Sequence, residues 1–239
     1  MEEFEFRAAT LKERKEFYEK EFSIKKIISW FRRSGRKLPQ LCAIDAGTDT
    51  KIIKKKEWMD KLFFFPFKDL KKKIRKYIPE DVYYDRSFFE NPEKVLRTLN
   101  FDDWISQELA FDIDVDNFKC DCHLRKEVCD KCVKEAYFWA LKMKRELKKR
   151  FKKIDITYSG RGFHVHVLDA SAYSLSKSER EELSRKMSNF PIDVWVSSGN
   201  IRLMRMPYSL HGVVSRISIP LNRDKKLNKL ATIPKFLKG

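Results

Sequence analysis

The segment 108–116, Glu-Leu-Ala-Phe-Asp-Ile-Asp-Val-Asp, alternates acidic and apolar residues over its second half and constrains the fold more than any other part of the chain. A period of two predicts a β-strand, because successive side chains of a strand point to opposite faces. Such a strand places Asp112, Asp114 and Asp116 on one face. The Phe, Ile and Val residues between them share the other face, which is apolar enough to be buried.

Carboxylates that share one sheet face repel each other unless a cation lies between them. Mg²⁺ and Mn²⁺ take oxygen ligands from carboxylates and substrate phosphates. Two such ions about 3.5–4 Å apart serve polymerases and nucleases. The alternative is an acidic edge strand that prevents aggregation. The apolar opposite face argues against that alternative, so the pattern favours a divalent-metal site.

Four of the five cysteines are crowded between residues 120 and 132, and Cys42 stands alone. Cys-x-x-Cys at 129–132 has the spacing of a tetrahedral zinc knuckle. A redox pair is the alternative, but it leaves the upstream cysteines unexplained. Four protein ligands would make a closed, structural site. The candidate ligands are Cys122, Cys129 and Cys132 with either Cys120 or His123.

The chain carries 52 Lys and Arg residues against 35 acidic ones, a net charge of +17 over 239 residues. Lys/Glu enrichment of a thermophile surface would raise both signs together, so the excess of base favours a nucleic-acid partner. Basic runs at 51–57 and 68–76 are candidate phosphate-binding surfaces, although each is also typical of a solvated face. No apolar run reaches the ~20 residues of a membrane span. We expect a soluble, cytoplasmic and nucleoid-associated protein.

Periodicity predicts an α+β protein with helices in the first half and strands in the second. The acidic strand and a following small metal-bearing insertion complete the expected layout. Residues 223–239 show no clear pattern. The predicted elements are a helix from near Thr10, helices over 133–151 and 176–187, and strands over 154–158, 163–168, 192–196, 201–206 and 213–219.

Two further stretches are suited to phosphate. Ser-Gly-Arg-Gly-Phe-His at 159–164 joins two predicted strands, and its glycines allow close approach of a ligand to the backbone. Arg161 can grip phosphate in a bidentate manner. In the stretch 201–212, Arg202, Arg205 and His211 are candidate donors to a triphosphate. Asp193 is an acid on a predicted strand just upstream.

Taken in order, these motifs resemble the small catalytic subunit of archaeal and eukaryotic replicative DNA primases. The segments that carry the resemblance are Glu108–Asp114, the cysteine cluster after it, Tyr158–His164, Ile192–Val194, Arg205–Gly212, Arg7–Tyr18 and Val82–Pro92.

The resemblance implies a mixed, largely antiparallel sheet flanked by helices, in one catalytic domain over 1–239 with a zinc motif at 119–133. The short distance from Asp169 to Asp193 implies that the helical insertion usual before residue 190 is reduced or absent. The resemblance also implies single-stranded DNA and nucleoside triphosphates as ligands, and a large subunit or a similar domain as partner. It implies Mg²⁺ or Mn²⁺ ligation by Asp112, Asp114 and Asp193, and nucleotide contacts by Ser159, Arg161, His164, Arg205 and His211.

The expected function is therefore primer synthesis by a two-metal mechanism, with a structural zinc. Three alternatives remain open. The same fold could serve primer extension or repair, the chain could be a non-catalytic zinc-bearing module that binds nucleic acid, or the paired carboxylates could belong to a nuclease.

Overall fold

The computed structural model describes residues 5–47, 62–120, 122, 128–221 and 227–238, and the basic run 51–57 lies outside them. Within these ranges no helix is long and apolar enough to span a membrane. The helices are α1 (Leu11–Lys20), α2 (Ile24–Arg33), α3 (Leu70–Tyr77), α4 (Pro92–Thr98), α5 (Asp130–Leu147), α6 (Ala170–Tyr173), α7 (Lys177–Lys186), α8 (Val194–Ser197) and α9 (Lys229–Thr232).

The strands are β1 (Leu41–Asp45), β2 (Leu62–Pro66), β3 (Asp81–Asp85), β4 (Ser87–Phe89), β5 (Trp104–Gln107), β6 (Leu109–Ile113), β7 (Ile154–Tyr158), β8 (Phe163–Val167), β9 (Leu203–Arg205), β10 (Leu210–His211), β11 (Arg216–Ile217) and β12 (Ile219–Leu221). They form two main sheets and a β4–β5 pair. The first sheet has the order β11-β10-β3-β1-β2, with β9 also on β3, and the second has the order β12-β7-β8-β6. Each described pairing is antiparallel, which confirms the α+β class.

Local sequence accounts for the helix starts. Thr10 and Glu13 form a reciprocal capping box on α1, as predicted, and Ser176 does the same with Glu179 on α7. The α5 helix places Ala136, Ala140 and other apolar residues against the apolar face of the second sheet. The opposite face of that sheet is polar and carries the residues of the candidate site.

Several sequence predictions are wrong in detail. The division into a helical first half and a stranded second half fails, because β1–β6 all precede residue 114. The acidic strand ends at Ile113, and Val115–Asn117 form a 3-10 helix capped by the Asp114 side chain. Asp116 therefore does not share the strand face with Asp112. Short polar side chains that bond to the backbone two residues on favour such turns over strand.

The region around Asp193 was also predicted wrongly. Residues 194–197 form the short helix α8, not part of a strand, because Asp193 accepts from the backbone N–H of Trp195 at 2.8 Å and caps the turn. The strand predicted over 201–206 is shorter, and the one over 213–219 divides into β11 and the start of β12. In the tail, residues 229–232 form the short helix α9.

Candidate active site

Three carboxylates from separate elements meet at the end of β6. Asp112 lies on β6, Asp114 caps the following 3-10 helix, and Asp193 caps α8. The backbone N–H of Asp193 donates to the Asp112 carbonyl oxygen at 3.0 Å, which ties α8 to the strand. The side chains of Asp112 and Asp114 remain 24% and 28% exposed, so a ligand can reach them.

The Asp112 carboxyl is poorly neutralised by the protein. Burial, followed by the charges of Asp114 and Asp193, raises its pKa well above the usual range, and the cations Arg205 and Arg161 offset this only in part. Its Oδ1 atom is buried and has no hydrogen-bond partner. A divalent cation among the three carboxylates would offset their mutual repulsion and would give Asp112 Oδ1 the partner that it lacks. Carboxylate oxygens are donors of the type that Mg²⁺ and Mn²⁺ take, although among the described residues only the cysteine cluster has its ligand atoms within 4.8 Å of one another.

The turn between β7 and β8 packs directly on this centre. Its closing bonds are Ser159 N–H to the Gly162 carbonyl at 2.9 Å and Gly162 N–H to Ser159 Oγ at 3.0 Å. A Cβ on Gly162 would lie 2.3 Å from the Ile113 carbonyl oxygen, and Gly160 has φ +116° with His211 immediately beside it. Both glycines are thus required by close approach. Ser159 is buried, and its hydroxyl accepts a hydrogen bond within the turn.

Arg161 extends from this turn over the aspartates. Its guanidinium donates to Asp114 at 2.9 Å and also pairs with Asp116. The side chain is 20% exposed, and Asp116 is 69% exposed. A cation that lies between two carboxylates near the solvent is in position to bind an incoming anion as well.

His164 lies opposite Asp112 in the β6–β8 register. Its Nε2 is 3.6 Å from Asp112 Oδ1, too long for a hydrogen bond, and its Nδ1 has no partner. Burial, followed by the neighbouring His166, lowers the pKa of His164 well below its ordinary value. The lowered pKa favours the neutral imidazole. Its Nδ1, which has no partner among the described residues, can therefore accept a hydrogen bond from a ligand or donate one to it.

A buried ionic cluster supports the other side of the centre. Arg205 pairs with Asp81, whose second oxygen accepts from Tyr83 at 3.1 Å. Although burial opposes it, Arg205 lowers the pKa of Asp81. His211 Nδ1 lies 3.5 Å from Asp81, and burial followed by Arg205 lowers the pKa of His211 to about 3. Asp81 was missed in the sequence because a lone acid at a strand start carries no signal.

Arg202 is not part of the centre, contrary to the prediction from the stretch 201–212. Its Nε lies 3.3 Å from the buried Asp85, and its guanidinium stacks 4.1 Å from the Phe101 ring. The pairing arises because β9 lies beside β3, which brings Arg202 next to Asp85. The structure does bring together Arg161, His164, Arg205 and His211 around the aspartates.

A second acid on the same side of β6, Glu108, was also missed by sequence reasoning. It is 3% exposed, bonds to His166 Nδ1 at 2.6 Å and lies 3.6 Å from Arg36. His166 Nε2 in turn lies 2.8 Å from Thr157 Oγ1. Burial opposes the charged form, but Arg36 and His166 lower the pKa of Glu108 to about 2. Protein groups therefore both hydrogen-bond and neutralise the Glu108 carboxylate.

The four clustered cysteines converge as predicted. Their sulfur atoms all lie within 4.8 Å of one another. Sγ–Sγ distances of 3.8 Å (Cys120–Cys129), 3.4 Å (Cys122–Cys132) and 3.5 Å (Cys129–Cys132) are close to the about 3.8 Å expected for a zinc tetrahedron with 2.3 Å bonds. The set therefore fits a closed zinc site with four cysteine ligands. His123, the alternative fourth ligand, lies outside the described residues.

One exposed aromatic residue adjoins the aspartates. Trp195, two residues after Asp193, is 66% exposed, and its neighbours Val194 and Ile201 are also exposed. The backbone N–H of Ile201 donates to the Trp195 carbonyl at 2.9 Å, which holds the segment in place. An apolar patch beside a charged centre is a feature of ligand-binding surfaces.

Comparisons with known proteins show which proteins the chain is similar to. No family model matches the sequence. The chain is 34% identical over 254 aligned residues to an uncharacterized DNA primase small subunit-like protein of Archaeoglobus fulgidus, covering 92% of this chain and 86% of that protein. It is 31% identical to the DNA primase small subunit PriS of Pyrococcus furiosus over 74% of this chain, and 27% identical to that of Thermococcus sibiricus over 94%.

These matches cover 48% of the Pyrococcus protein and 65% of the Thermococcus protein, so the chain spans about half to two thirds of their length. The polymerase domain of Mycobacterium tuberculosis ligase D, solved in complex with DNA, aligns over 96% of this chain and 88% of its own at 10% identity, with a TM-score of 0.49. That similarity is too low to carry an argument. The extended match to the Archaeoglobus protein shows that the chain belongs to the family of archaeal DNA primase small subunits and small-subunit-like proteins.

Proposed function

We propose that the chain is a template-dependent nucleotidyltransferase that synthesises short primers on single-stranded DNA. One observation carries the proposal. The Asp112 carboxylate, which has a buried oxygen without a hydrogen-bond partner, lies with Asp114 and Asp193 beside Arg161 and beside a His164 whose Nδ1 also has none. Nucleotidyl transfer requires a divalent-metal centre next to side chains that bind the triphosphate.

In the proposed reaction, a 3′-hydroxyl forms a bond to the α-phosphorus of a nucleoside triphosphate. The bond from that phosphorus to the pyrophosphate breaks, and the hydroxyl proton passes to solvent. Divalent cations bound by Asp112, Asp114 and Asp193 would supply polarisation of the hydroxyl and neutralisation of the leaving group. The chain's own residues contribute position and charge, which account for most of the catalysis in phosphoryl transfer.

Each donor has a distinct part in holding the triphosphate. Arg161 exchanges its carboxylate partners for phosphate oxygens, and the buried charge of Arg205 stays fixed by Asp81. His164 and His211 are neutral and offer N–H donors at buried positions. Ser159 acts by closing the turn that carries Arg161. The exposed ring of Trp195 offers a face on which a base can stack.

The four-cysteine cluster supports the centre from the side. Cys132 lies in the first turn of α5, which packs against β8, and Cys120 follows the 3-10 helix that Asp114 caps. We assign a structural zinc to it, because four sulfur ligands leave no open position. A large subunit or a large-subunit-like domain is the proposed protein partner, and the whole chain acts as one catalytic domain.

De novo synthesis tests the proposal. The chain is incubated with a single-stranded template, nucleoside triphosphates and Mn²⁺ without primer, and ribonucleotides are compared with deoxyribonucleotides. Wild type should form dinucleotides and longer products, whereas Asp114→Asn should form none. Asp116→Asn is the matched control, because Asp116 lies two residues on but outside the carboxylate centre, and it should lose less than about tenfold.

The outcomes also separate the alternatives. Wild-type activity in Asp114→Asn contradicts the assignment. Extension of a supplied primer without initiation indicates a polymerase of the repair or extension type. Degradation of a labelled strand in Mg²⁺ indicates a nuclease, and metal-independent strand binding without any triphosphate binding indicates a non-catalytic module.

A further inference from the structure

A basic cleft lies at the opposite end of the second sheet from the aspartates. Its floor includes Ile154 and Leu168, where β7 begins and β8 has just ended. In the β7–β8 register Ile154 pairs with Val167, three residues along β8 from His164, which lies opposite Asp112. That separation is about 10 Å at 3.3 Å per residue. The cleft is therefore distinct from the carboxylate centre.

The cleft, with a volume of about 570 Å³, is large enough for a nucleotide-sized ligand. Two aromatic residues, Trp30 and Tyr208, contribute to its walls. Asp155 is the one acid among the described lining residues, and it already bonds to Arg36 at 3.2 Å. The basic lining residues are Arg33, Lys144, Lys148, Lys152 and Lys153.

Helix ends explain part of this charge but not all of it. Cations are favoured at helix C-termini, and α2 ends near Arg33 while α5 ends near Lys144 and Lys148. Lys152 and Lys153 lie beyond any helix. Their backbone N–H groups donate to the Asp169 carboxylate at 3.0 and 2.8 Å. That carboxylate fixes the loop in the conformation that adds two more cations to the same cleft.

We infer that this cleft binds the phosphodiester backbone of single-stranded nucleic acid, outside the catalytic centre. Several cations around one concave surface attract a polyanion, and the partly exposed Tyr208 provides a face for an unstacked base. The inference deepens the proposed function, since it names a surface that would hold the template while the aspartates act. The binding itself requires neither the aspartates nor a divalent ion.

The test measures binding of a fluorescently labelled dT oligomer with hydroxyl ends by anisotropy, in zinc-replete buffer without Mg²⁺ or Mn²⁺, over a series of salt concentrations. The cleft variant is Lys148→Gln with Lys152→Gln. The matched control is Lys94→Gln with Arg97→Gln on α4, which removes the same charge from exposed positions elsewhere. Loss of two phosphate contacts should reduce affinity by about tenfold or more near 0.1 M salt and the salt slope by about 1.4.

The control and competition experiments decide the interpretation. An equal loss in the α4 control shows that overall charge, not the cleft, drives binding, and overturns the inference. An unchanged affinity in the cleft variant overturns it as well, and leaves an acidic protein surface as the occupant to test. If only nucleoside triphosphate binding falls, the strand-binding inference is again overturned. The same binding series in Asp114→Asn should match wild type even if that chain makes no primers, which separates this inference from the proposed function.

Discussion

Glu108 and Asp112 lie four residues apart on the same side of β6, yet their surroundings are opposite. Glu108 bonds to His166 at 2.6 Å and lies beside Arg36, and its pKa is lowered to about 2. Asp112 stands 3.6 Å from the equivalent His164, among other carboxylates, and its pKa is raised. A folded protein neutralises an acid that serves its structure. An acid that is left unneutralised at an open site is available to a ligand.

The largest expected effect concerns activity. Asp112→Asn should reduce nucleotidyl transfer about a thousandfold or more, because it removes several kcal/mol of charge stabilisation from the transition state. In buffer that contains Zn²⁺ but no Mg²⁺ or Mn²⁺, the same variant should melt at or above the wild-type temperature, since it removes repulsion from Asp114 and Asp193. Product formation with Mn²⁺ and thermal melts without it measure the two effects. A variant that stays active but melts early would show that Asp112 is a structural acid like Glu108.

The second prediction concerns Glu108, whose replacement should reduce stability and have little effect on activity. Glu108→Gln should lower the free energy of unfolding by about 3 kcal/mol, because it leaves the buried Arg36 with only the partly exposed Asp155 as its anion and takes a charged acceptor from His166. At temperatures where this variant is folded, its rate of primer synthesis should stay within about tenfold of wild type. Denaturant titration measures the first quantity. Full stability in Glu108→Gln would remove the contrast on which the assignment of Asp112 rests.

Metal binding gives a third test of the difference between Asp112 and Glu108. Mn²⁺ at about 100 times its dissociation constant should stabilise wild type by about 2.7 kcal/mol, because the ion binds only the folded chain. Asp112→Asn should lose most of this gain, whereas Glu108→Gln should show the same increment from a lower baseline. Melting with and without Mn²⁺ in zinc-replete buffer measures it. Equal stabilisation of Asp112→Asn and wild type would place the ion elsewhere.

Sequence patterns predicted some parts of this molecule and missed others for physical reasons. The Asp112 and Asp114 pair, the cysteine cluster and the β7–β8 turn were found because spacing within a short segment determines them. The position of Asp193 followed from the family resemblance, but the helix that follows it was missed because a single capping bond overrides the three-residue apolar run at 194–196. Glu108, Asp81 and the basic cleft come from contacts between distant elements, which no local pattern records.

The smallest effect is a dependence of stability on pH that belongs to Glu108. Its pKa is lowered in the folded chain to about 2 from an ordinary value of 4.5, so the unfolded chain binds protons more readily. The stabilisation is therefore fully present above about pH 4.5 and is lost as the pH falls towards 2. The difference in unfolding free energy between wild type and Glu108→Gln should shrink over that range. Denaturant titrations at pH 7, 5 and 3 measure this difference. Glu135→Gln, at an exposed position on α5, is the control and should match wild type at each pH.

A difference that stays constant down to pH 3 would mean that Glu108 is not held as a carboxylate by Arg36 and His166. Glu108 would then no longer be an example of an acid neutralised by the protein, and the comparison with Asp112 would be lost.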